Sequence, residues 1–256
     1  MISHNIIYTA SEIEHYYSSN RVAWEQFYPS EKSIFDSCGI KKGDSVLDIG
    51  CGCGGLGIAL KERFFITDYT GIDISEQAVI TGSIMNPDGF FMAGDILSIS
   101  PDSLIKKQFD IVVSLGCVDW NIEFEKMLSV AWNYVKPCGV FISSFRLSDL
   151  LGVDLENVLS TSWQYINFNG IRQGEKAPYV VMNAKDLIEK LCAFYPKNIT
   201  ANGYWGKPSL TAVTPYQRLC FSAFSIKKRR DGDDSSIQFD ITLPEEILAS
   251  IAPVLK

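Results

Sequence analysis

The chain has 256 residues, of which 46% are hydrophobic and 21% are charged, and its formal net charge is −7. A protein of this composition can bury a full core, which favours one main globular domain. An acidic chain repels a nucleic-acid backbone, and without a signal peptide or an apolar run of roughly 18 residues it is expected in the cytoplasm, away from membranes.

The first predicted element is an amino-terminal helix with polar residues inside an aromatic stripe. Its helical spacing aligns Ile13, Tyr17, Asn20, Arg21, Trp24 and Tyr28 on one face. We predict that residues 1–40 form a helical lid, in which Arg21 pairs with a ligand carboxylate and Tyr17 hydrogen-bonds nearby. The alternative is an amphipathic helix with a snorkelling arginine.

From residue 45 onward, short β-branched runs alternate with helical patterns, which predicts parallel βαβ units. Strands are predicted at residues 45–49, 69–74, 90–93, 109–115, 140–145, 199–205 and 219–226. Helices are predicted at residues 56–64, 76–85, 123–135 and 184–194. The predicted fold class is therefore α/β, with a doubly wound, mostly parallel seven-stranded sheet that ends in an antiparallel hairpin.

Two segments depart from this alternation. Residues 146–180 are rich in glycine and aromatic residues, and we predict that they form an inserted cap within a domain of residues 41–229. Residues 230–256 form a predicted carboxyl-terminal tail, with a polar linker followed by one strand-like and one helix-like stretch. The tail packs either on the core or on a second subunit, so a homodimer is one alternative for the assembly.

A glycine-rich loop follows the first predicted strand. Residues 48–55 read Asp-Ile-Gly-Cys-Gly-Cys-Gly-Gly, and such glycines let the backbone approach a ligand closely. Gly50, Gly52 and Gly55 also satisfy the dinucleotide pattern GxGxxG, which alone is weak evidence. Asp48 favours a different ligand, because a carboxylate repels a pyrophosphate yet suits an ammonium group.

Two further carboxylates close the next two predicted strands. Asp73 ends the second strand, where its two oxygens can accept hydrogen bonds from a ribose diol. Asp95 ends the third strand and, with Ile96, offers a polar and an apolar contact to adenine. Any one acid could be a helix cap, but three acids at three consecutive strand ends indicate a single binding crevice.

The seven cysteines do not predict a metal site. Their number is odd, no C-x-x-C pair occurs, and the chain has only two histidines. Cys51 and Cys53 are separated by one residue inside the glycine loop, so we interpret them as small residues beside backbone turns. Neither a metal nor a disulfide framework is expected.

Five motifs follow one another in order along residues 40–145. They occupy residues 46–54, 71–75, 94–96, 109–114 and 135–140. The series resembles the class I S-adenosylmethionine-dependent methyltransferases, and it is far more specific than any one motif. The resemblance implies a Rossmann-like methyltransferase fold, S-adenosylmethionine as cofactor and S-adenosylhomocysteine as product. The expected cofactor-binding residues are Tyr17, Arg21, Asp48, Gly50, Cys51, Gly52, Asp73, Ile74, Asp95, Ile96, Ser114 and Leu115.

By the same resemblance, the glycine loop meets the methionine part, Asp73 the ribose, and Asp95 with Ile96 the adenine. Ser114 and Leu115 are then expected at the methyl end. The acceptor is expected to be a small polar molecule, such as a hydroxyl or phosphate-type oxygen of a sugar or surface-glycan precursor. Fold alone does not identify the acceptor.

The loop at residues 115–121 follows the fourth strand and should face the transferable methyl group. Asp119 is the candidate catalytic base, and its alternative role is to cap the helix that begins near Ile122. No base is needed if the acceptor is already an anion. The candidate substrate contacts, which could equally be core and loop residues, are Trp120, Trp163, Arg172 and Tyr204.

Two other functions remain as alternatives. An NAD-dependent oxidoreductase would use the same glycine pattern, although Asp48 and the lack of a second catalytic domain argue against it. A non-catalytic methyltransferase-like partner subunit would have a decayed cofactor site, whereas the loop glycines and the three acids are present.

Overall fold

The computed structural model describes residues 11–99, 104, 108–153, 158–167 and 170–255. Residues 1–10 of the predicted lid, and residues 154–157 and 168–169 of the predicted cap, lie outside this part of the chain. None of the described helices is both long and apolar enough to cross a bilayer.

From residue 45 onward, the described elements follow the predicted alternation of strands and helices. The helix predicted to align Ile13 with Tyr28 is wrong in extent, because it ends at Ser19 and the backbone turns at Arg21 with a φ of +62°. The strands are β1 (Ser45–Ile49), β2 (Asp68–Asp73), β3 (Phe90–Ala93), β4 (Phe109–Ser114), β5 (Val135–Ser148), β6 (Trp163–Tyr165), β7 (Lys176–Pro178), β8 (Met182–Asn183), β9 (Asn198–Gly206), β10 (Ala212–Val213), β11 (Leu219–Lys227) and β12 (Gln238–Thr242). The helices are α1 (Ser11–Ser19), α2 (Pro29–Ser37), α3 (Gly55–Phe64), α4 (Glu76–Met85), α5 (Phe124–Asn133), α6 (Val158–Thr161), α7 (Ala184–Cys192) and α8 (Glu245–Ile251).

A large sheet in the order β12-β9-β11-β5-β4-β1-β2-β3 forms the centre of the described chain, with β8 beside β5. Strands β3, β2, β1, β4 and β5 run parallel, and β11 is antiparallel to both β5 and β9. The predicted α/β, mostly parallel fold is confirmed. The sheet has nine strands in the described residues, because the short β8 and the tail strand β12 join the seven that were predicted.

Helices cover both faces of the sheet, which explains why its central strands are so apolar. Side chains alternate along β1: Leu47 joins the core cluster that contains α5 and α7, whereas Val46 joins the cluster that contains α2 and α3. All five residues of β1 are buried. The central strands therefore form a rigid base, and the loops at their carboxyl ends are free to carry polar residues.

The fifth strand starts earlier than predicted. Val135 pairs with Phe109, and after a register shift the ladder resumes with Ile111 opposite Val140. The residues between the predicted helix at 123–135 and the predicted strand at 140–145 thus form an irregularity within β5. At its other end β5 continues to Ser148, three residues beyond the predicted boundary.

A small second sheet and the carboxyl-terminal tail complete the described part of the chain. Strands β10, β6 and β7 form a separate three-stranded sheet, which draws β6 and β7 from the predicted cap and β10 from later in the chain. The tail packs on the core of its own chain, because β12 pairs in parallel with β9 and the fully buried Ile247 and Ile251 of α8 join the main core.

Candidate functional site

A cavity of about 580 Å³ opens at the carboxyl ends of β1, β2 and β3. This volume is within the range of small-molecule sites. Its walls come from the glycine loop after β1, the ends of β2 and β3, the loop after β4, and α1 with the segment that follows it. The predicted acids Asp48, Asp73 and Asp95 all line this one cavity.

Most predicted site residues share the cavity, but five lie outside its wall. The lining includes Tyr17, Arg21, Asp48, Gly50, Cys51, Gly52, Asp73, Ile74, Asp95, Ile96, Leu115 and Trp120. The cavity wall does not include Ser114, Asp119, Trp163, Arg172 or Tyr204.

The glycine loop is pressed between its neighbours. Gly50 has a φ of +76°, and a Cβ there would lie 2.5 Å from Cys117 Sγ in the loop after β4. A Cβ on Gly55, the first residue of α3, would lie 2.3 Å from the Arg21 carbonyl oxygen. Only glycine allows both approaches, so the loop's backbone forms part of the cavity wall itself.

Asp73 joins the glycine loop to the end of β2. Its Oδ2 accepts a hydrogen bond from the Gly52 N–H at 2.8 Å, and its Oδ1 accepts from the Ser75 N–H at 2.9 Å. Burial raises the pKa of this carboxyl, and the backbone N–H groups oppose the shift. Because a carboxylate oxygen can accept more than one hydrogen bond, Asp73 can order the loop and still bind a hydroxyl-bearing ligand.

Asp48 is the most deeply buried acid of the cavity, with 3% of the residue exposed. The Tyr69 hydroxyl donates to Asp48 Oδ2 at 2.6 Å. Burial raises the pKa of Asp48 to about 7, against the opposing effects of this hydrogen bond and of Arg21. A cationic ligand next to this carboxyl would lower its pKa and so restore its ionised form.

The end of β3 has an apolar wall beside a polar rim. Asp95 Oδ1 accepts a hydrogen bond from the Leu97 N–H at 2.9 Å, which fixes the turn after the strand. Ile96 is buried and, with Ile74, lines the cavity next to Asp95. A flat heterocycle with donor groups at its edge fits such a slot.

The segment that contains α1 crosses the glycine loop. A Cβ on Gly52 would lie 3.6 Å from the Tyr17 ring, and Glu14 Oε1 accepts a hydrogen bond from the Thr81 hydroxyl of α4 at 2.7 Å. Burial raises the pKa of Tyr17 to about 12. The contact between Tyr17 and Gly52 and the hydrogen bond between Glu14 and Thr81 therefore hold α1 over the cavity.

Arg21 lines the cavity but already has an anionic partner. Its Nη2 lies 3.0 Å from both carboxylate oxygens of the buried Glu31, and its guanidinium stacks over the Phe27 ring at 4.7 Å. Glu31 also accepts from the Tyr28 N–H. Glu31 therefore compensates the charge of Arg21. Other N–H groups of the guanidinium can still donate to a ligand. The pairing of Arg21 with a ligand carboxylate stays a prediction.

Asp119, the candidate base, lies in the short 3-10 turn Val118–Trp120 and is 5% exposed. Its Oδ2 is 2.9 Å from Arg146 Nε, and Arg146 Nη2 donates to the Asp119 carbonyl oxygen. Burial raises the pKa of Asp119, and Arg146 opposes the shift. The N-cap position of α5 is Glu123 rather than Asp119, and Asn121 Oδ1 accepts from the Glu123 N–H in the turn before the helix.

Arg146 connects this turn to two aromatic rings, one of which lines the cavity. Its guanidinium carbon lies 3.8 Å from the centre of the Tyr179 ring and 5.1 Å from that of Trp120. Asp119 faces this cation, whereas the neighbouring Trp120 and Asn121 line the cavity. The Asp119–Arg146 ion pair thus holds the loop after β4 from outside the cavity wall.

The remaining predicted contacts have other partners. Lys176 Nζ lies 4.6 Å from the centre of the Trp163 ring in the small sheet, and Arg172 Nε donates to the Leu210 carbonyl oxygen. The Tyr204 ring packs against Phe221 with centroids 6.2 Å apart. Ser114 is fully buried in β4, and its carbonyl accepts from the Ser143 hydroxyl.

Several residues of the site were not predicted individually, although Cys117 and Asn121 belong to the loop predicted to face the methyl group. Glu14, Gln77, Cys117 and Asn121 line the cavity, and Tyr69, Glu31 and Arg146 hold charged side chains around it. Strand alternation could have identified Tyr69, because the β1–β2 register places Val46 opposite Tyr69 and Asp48 opposite Gly71, on the same face of the sheet. The other partners depend on tertiary packing.

Comparison with known proteins identifies the family of the chain. Residues 40–185 match the sequence model of a family described as "Methyltransferase domain". Two curated relatives match shorter stretches: a trans-aconitate 2-methyltransferase of Deinococcus radiodurans, 29% identical over 96 residues, and a ribosomal protein L11 methyltransferase of Neisseria gonorrhoeae, 42% identical over 79 residues.

These alignments are partial. They cover 37% and 29% of this chain, and 35% and 24% of the two relatives. Among solved structures, phosphoethanolamine N-methyltransferase 2 of Haemonchus contortus, in complex with S-adenosyl-L-methionine, superposes with a TM-score of 0.58 at 16% identity. That superposition covers 86% of this chain and 56% of the other, and it shows a common fold.

Proposed function

This chain belongs to the methyltransferase-domain family, and from that premise we propose that it transfers the methyl group of S-adenosylmethionine to a small polar acceptor. S-adenosylmethionine is the cofactor of this class I family. One observation carries the proposal: the glycine loop and the three strand-end acids line a single cavity. The cofactor brings an ammonium, a ribose diol and an adenine, and the cavity offers a complementary group to each.

The lining supports the assignment of each part of the cofactor that the family resemblance implies. Asp48 and the glycine loop would meet the ammonium end, and Asp73 would accept from the ribose. Ile74 and Ile96 would hold the adenine, with Asp95 at its edge. Leu115 would then lie near the methyl group. The close approach of Gly50 to Cys117 supports this arrangement, because there is no room for a side chain at this position. The loop would therefore contact the ligand through its backbone.

The charges of the wall support this cofactor over a dinucleotide. Among the described lining residues the acids are Glu14, Asp48, Asp73 and Asp95, and the one basic residue is Arg21, which is paired with Glu31. A pyrophosphate would be repelled by the acids and would find no uncompensated cation there. A ligand with an ammonium and a sulfonium is attracted instead.

The same charges narrow the acceptor. A phosphorylated acceptor would need a free cation near the methyl group, whereas the described wall offers the amides of Asn20 and Asn121 and the Trp120 ring. We therefore favour a hydroxyl of a small, uncharged polar molecule, such as a sugar, over a phosphate-type oxygen. Trp120 is the candidate acceptor contact that lines the cavity.

Methyl transfer requires a nucleophile in line with a carbon that the cofactor has already activated. The chain's part is to align the two molecules and to exclude water, which can supply most of the rate. Leu115 and Trp120 would form the wall at this point, and Arg146 would fix the loop that bears them. Arg146 holds the Asp119 carboxylate outside the cavity wall, so we assign Asp119 to positioning the loop. The bond from sulfur to the methyl carbon would break as the acceptor oxygen bonds that carbon, and the hydroxyl proton would pass to solvent at the cavity mouth.

Thermal unfolding with three ligands tests the cofactor assignment. S-adenosylhomocysteine and S-adenosylmethionine should each raise the melting temperature, and NAD should not. A rise with NAD alone would favour the oxidoreductase. No rise with any of the three would favour the non-catalytic partner subunit.

An acceptor screen tests the second half of the proposal. S-adenosylhomocysteine release would be measured with matched pairs of free and phosphorylated sugars, and with small amines. Release with free sugars and not with their phosphates is the expected result. Release confined to phosphorylated or amine acceptors would contradict the proposed acceptor class while leaving the methyltransferase assignment intact.

A further inference from the structure

We propose that Tyr69 is a positioning residue that holds Asp48 ready for the cofactor ammonium and so sets the pH range in which the cofactor binds. This inference rests on the proposed function, because it assumes that Asp48 meets the ammonium. Tyr69 does not line the cavity and acts through Asp48.

The geometry leaves the Tyr69 side chain little freedom. It is 3% exposed, and its ring packs on Phe91 with centroids 5.7 Å apart. On the other side, a Cβ at Gly57 of α3 would lie 3.0 Å from ring carbons of Tyr69. The ring is therefore clamped between α3 and β3, with its hydroxyl 2.6 Å from Asp48 Oδ2.

Several charged or titratable groups act on Asp48 from the elements around it. Burial raises the pKa of Asp48 most strongly and Asp73 raises it further, whereas Tyr69 from β2 and Arg21 from the segment after α1 lower it. The thiols of Cys51 and Cys117 also face Asp48, and burial raises their pKa values so that they stay neutral near pH 7. The result is a carboxyl whose pKa is about 7.

A group with this pKa changes its charge in the physiological range. The carboxylate attracts an ammonium and the protonated acid does not, so cofactor binding releases a proton below about pH 7. Affinity should fall by up to about tenfold for each unit of pH below that point. Removing the Tyr69 hydroxyl takes a donor from the carboxylate, which shifts this fall to higher pH.

The experiment measures S-adenosylhomocysteine affinity by calorimetry between about pH 5.5 and 9, a range that spans the titration of a carboxyl with a pKa near 7. The variants are Tyr69→Phe, Asp48→Asn and, as a control for loss of a buried tyrosine hydroxyl, Tyr134→Phe, which lies in the main core. Tyr69→Phe should bind about 3- to 30-fold more weakly at pH 7 and recover to the parent's affinity at high pH. Asp48→Asn should lose the pH dependence, and Tyr134→Phe should match the parent.

Recovery at high pH separates this role from simple structural damage, which would weaken binding at every pH. A second measurement needs no ligand: the infrared band of the protonated Asp48 carboxyl, identified by its loss in Asp48→Asn, should persist to higher pH in Tyr69→Phe than in the parent. An unchanged midpoint in both measurements overturns the inference. Absence of S-adenosylhomocysteine binding by the parent at all pH values overturns the proposed function, and the inference with it.

Discussion

The two sides of the cavity differ in the groups that surround a carboxylate. At the ends of β1 and β2, Asp48 and Asp73 line the wall and accept hydrogen bonds from Tyr69 and from backbone N–H groups. Beyond β4, Asp119 is paired with Arg146 and lies outside the wall. Under the proposed function, the cofactor side presents its carboxyl groups to a ligand, whereas the acceptor side pairs its carboxylate with a cation that fixes a loop. Asp48 and Asp73 thus accept hydrogen bonds from neutral donors and line the cavity, whereas Asp119 has a cationic partner and lies outside its wall.

The largest effect on this comparison should come from removing Arg146. Arg146→Met leaves Asp119 buried without its cation, which should lower the free energy of unfolding by about 3–5 kcal/mol. Denaturant titration measures this loss. The double variant Arg146→Met/Asp119→Leu should recover most of it, and a single variant as stable as the parent would show that the pair does not organise the acceptor side.

The second prediction concerns the unliganded stability of the cofactor side. The folded-state pKa of Asp48, about 7, is above its unfolded value of about 3.9. The stability linked to its protonated form is therefore complete below about pH 4 and is lost as the pH rises to about 7. Asp48→Asn avoids this loss.

Relative to the parent, Asp48→Asn should gain on the order of 2–4 kcal/mol between pH 4 and pH 8. Unfolding titrations of both proteins at the two pH values measure this gain. The other acids are the same in both proteins, so their contribution cancels in the difference. If the difference in free energy of unfolding between the two proteins is the same at both pH values, the pKa of Asp48 is not raised in the folded protein.

The third prediction tests the contact between the two sides. Gly50→Ala combines a left-handed φ with a Cβ 2.5 Å from Cys117 Sγ, so the loop must move. Affinity for S-adenosylhomocysteine should fall about 100-fold, or roughly 3 kcal/mol. Gly43→Ala is the matched control, since Gly43 has a φ of +95° with no atom within 4 Å of its added Cβ. Its affinity should stay unchanged, and equal losses in both variants would assign the effect to backbone strain alone.

The smallest effect is expected from Asp119→Asn on catalysis. Because Asp119 lies outside the cavity wall, turnover should fall by less than about tenfold and cofactor affinity should hold. Turnover is measured under conditions where unfolding titrations show the variant to be folded. A fall of about 10²-fold or more would restore Asp119 as a general base.

The cofactor side could be predicted from sequence because each determinant is local. Asp48 and Asp73 lie in the last two residues of β1 and β2, and Asp95 lies two residues after β3. Parallel strands bring their carboxyl ends to one edge of the sheet. The strands at 45–49 and 90–93 have the predicted bounds. Sheet topology thus converts three local patterns into one site.

The acceptor side could not be predicted in the same way. Asp119 and Arg146 are 27 residues apart, and they meet because β5 runs on to Ser148 beside the loop after β4. Trp163 was a reasonable contact by residue type, but its strand belongs to a separate sheet. Arg21 finds Glu31 through a backbone turn with a φ of +62°, which nothing in the local sequence indicates.

The position of α1 has a consequence for the timing of the reaction. Tyr17 covers Gly52, and the Glu14–Thr81 hydrogen bond ties α1 to α4. A ligand that leaves the glycine loop must wait for these contacts to open, so we expect the departure of S-adenosylhomocysteine, rather than the chemical step, to limit steady-state turnover. Rapid mixing should then show a burst of methylated product in the first cycle, followed by a slower linear phase whose rate increases when Glu14→Gln weakens the tie.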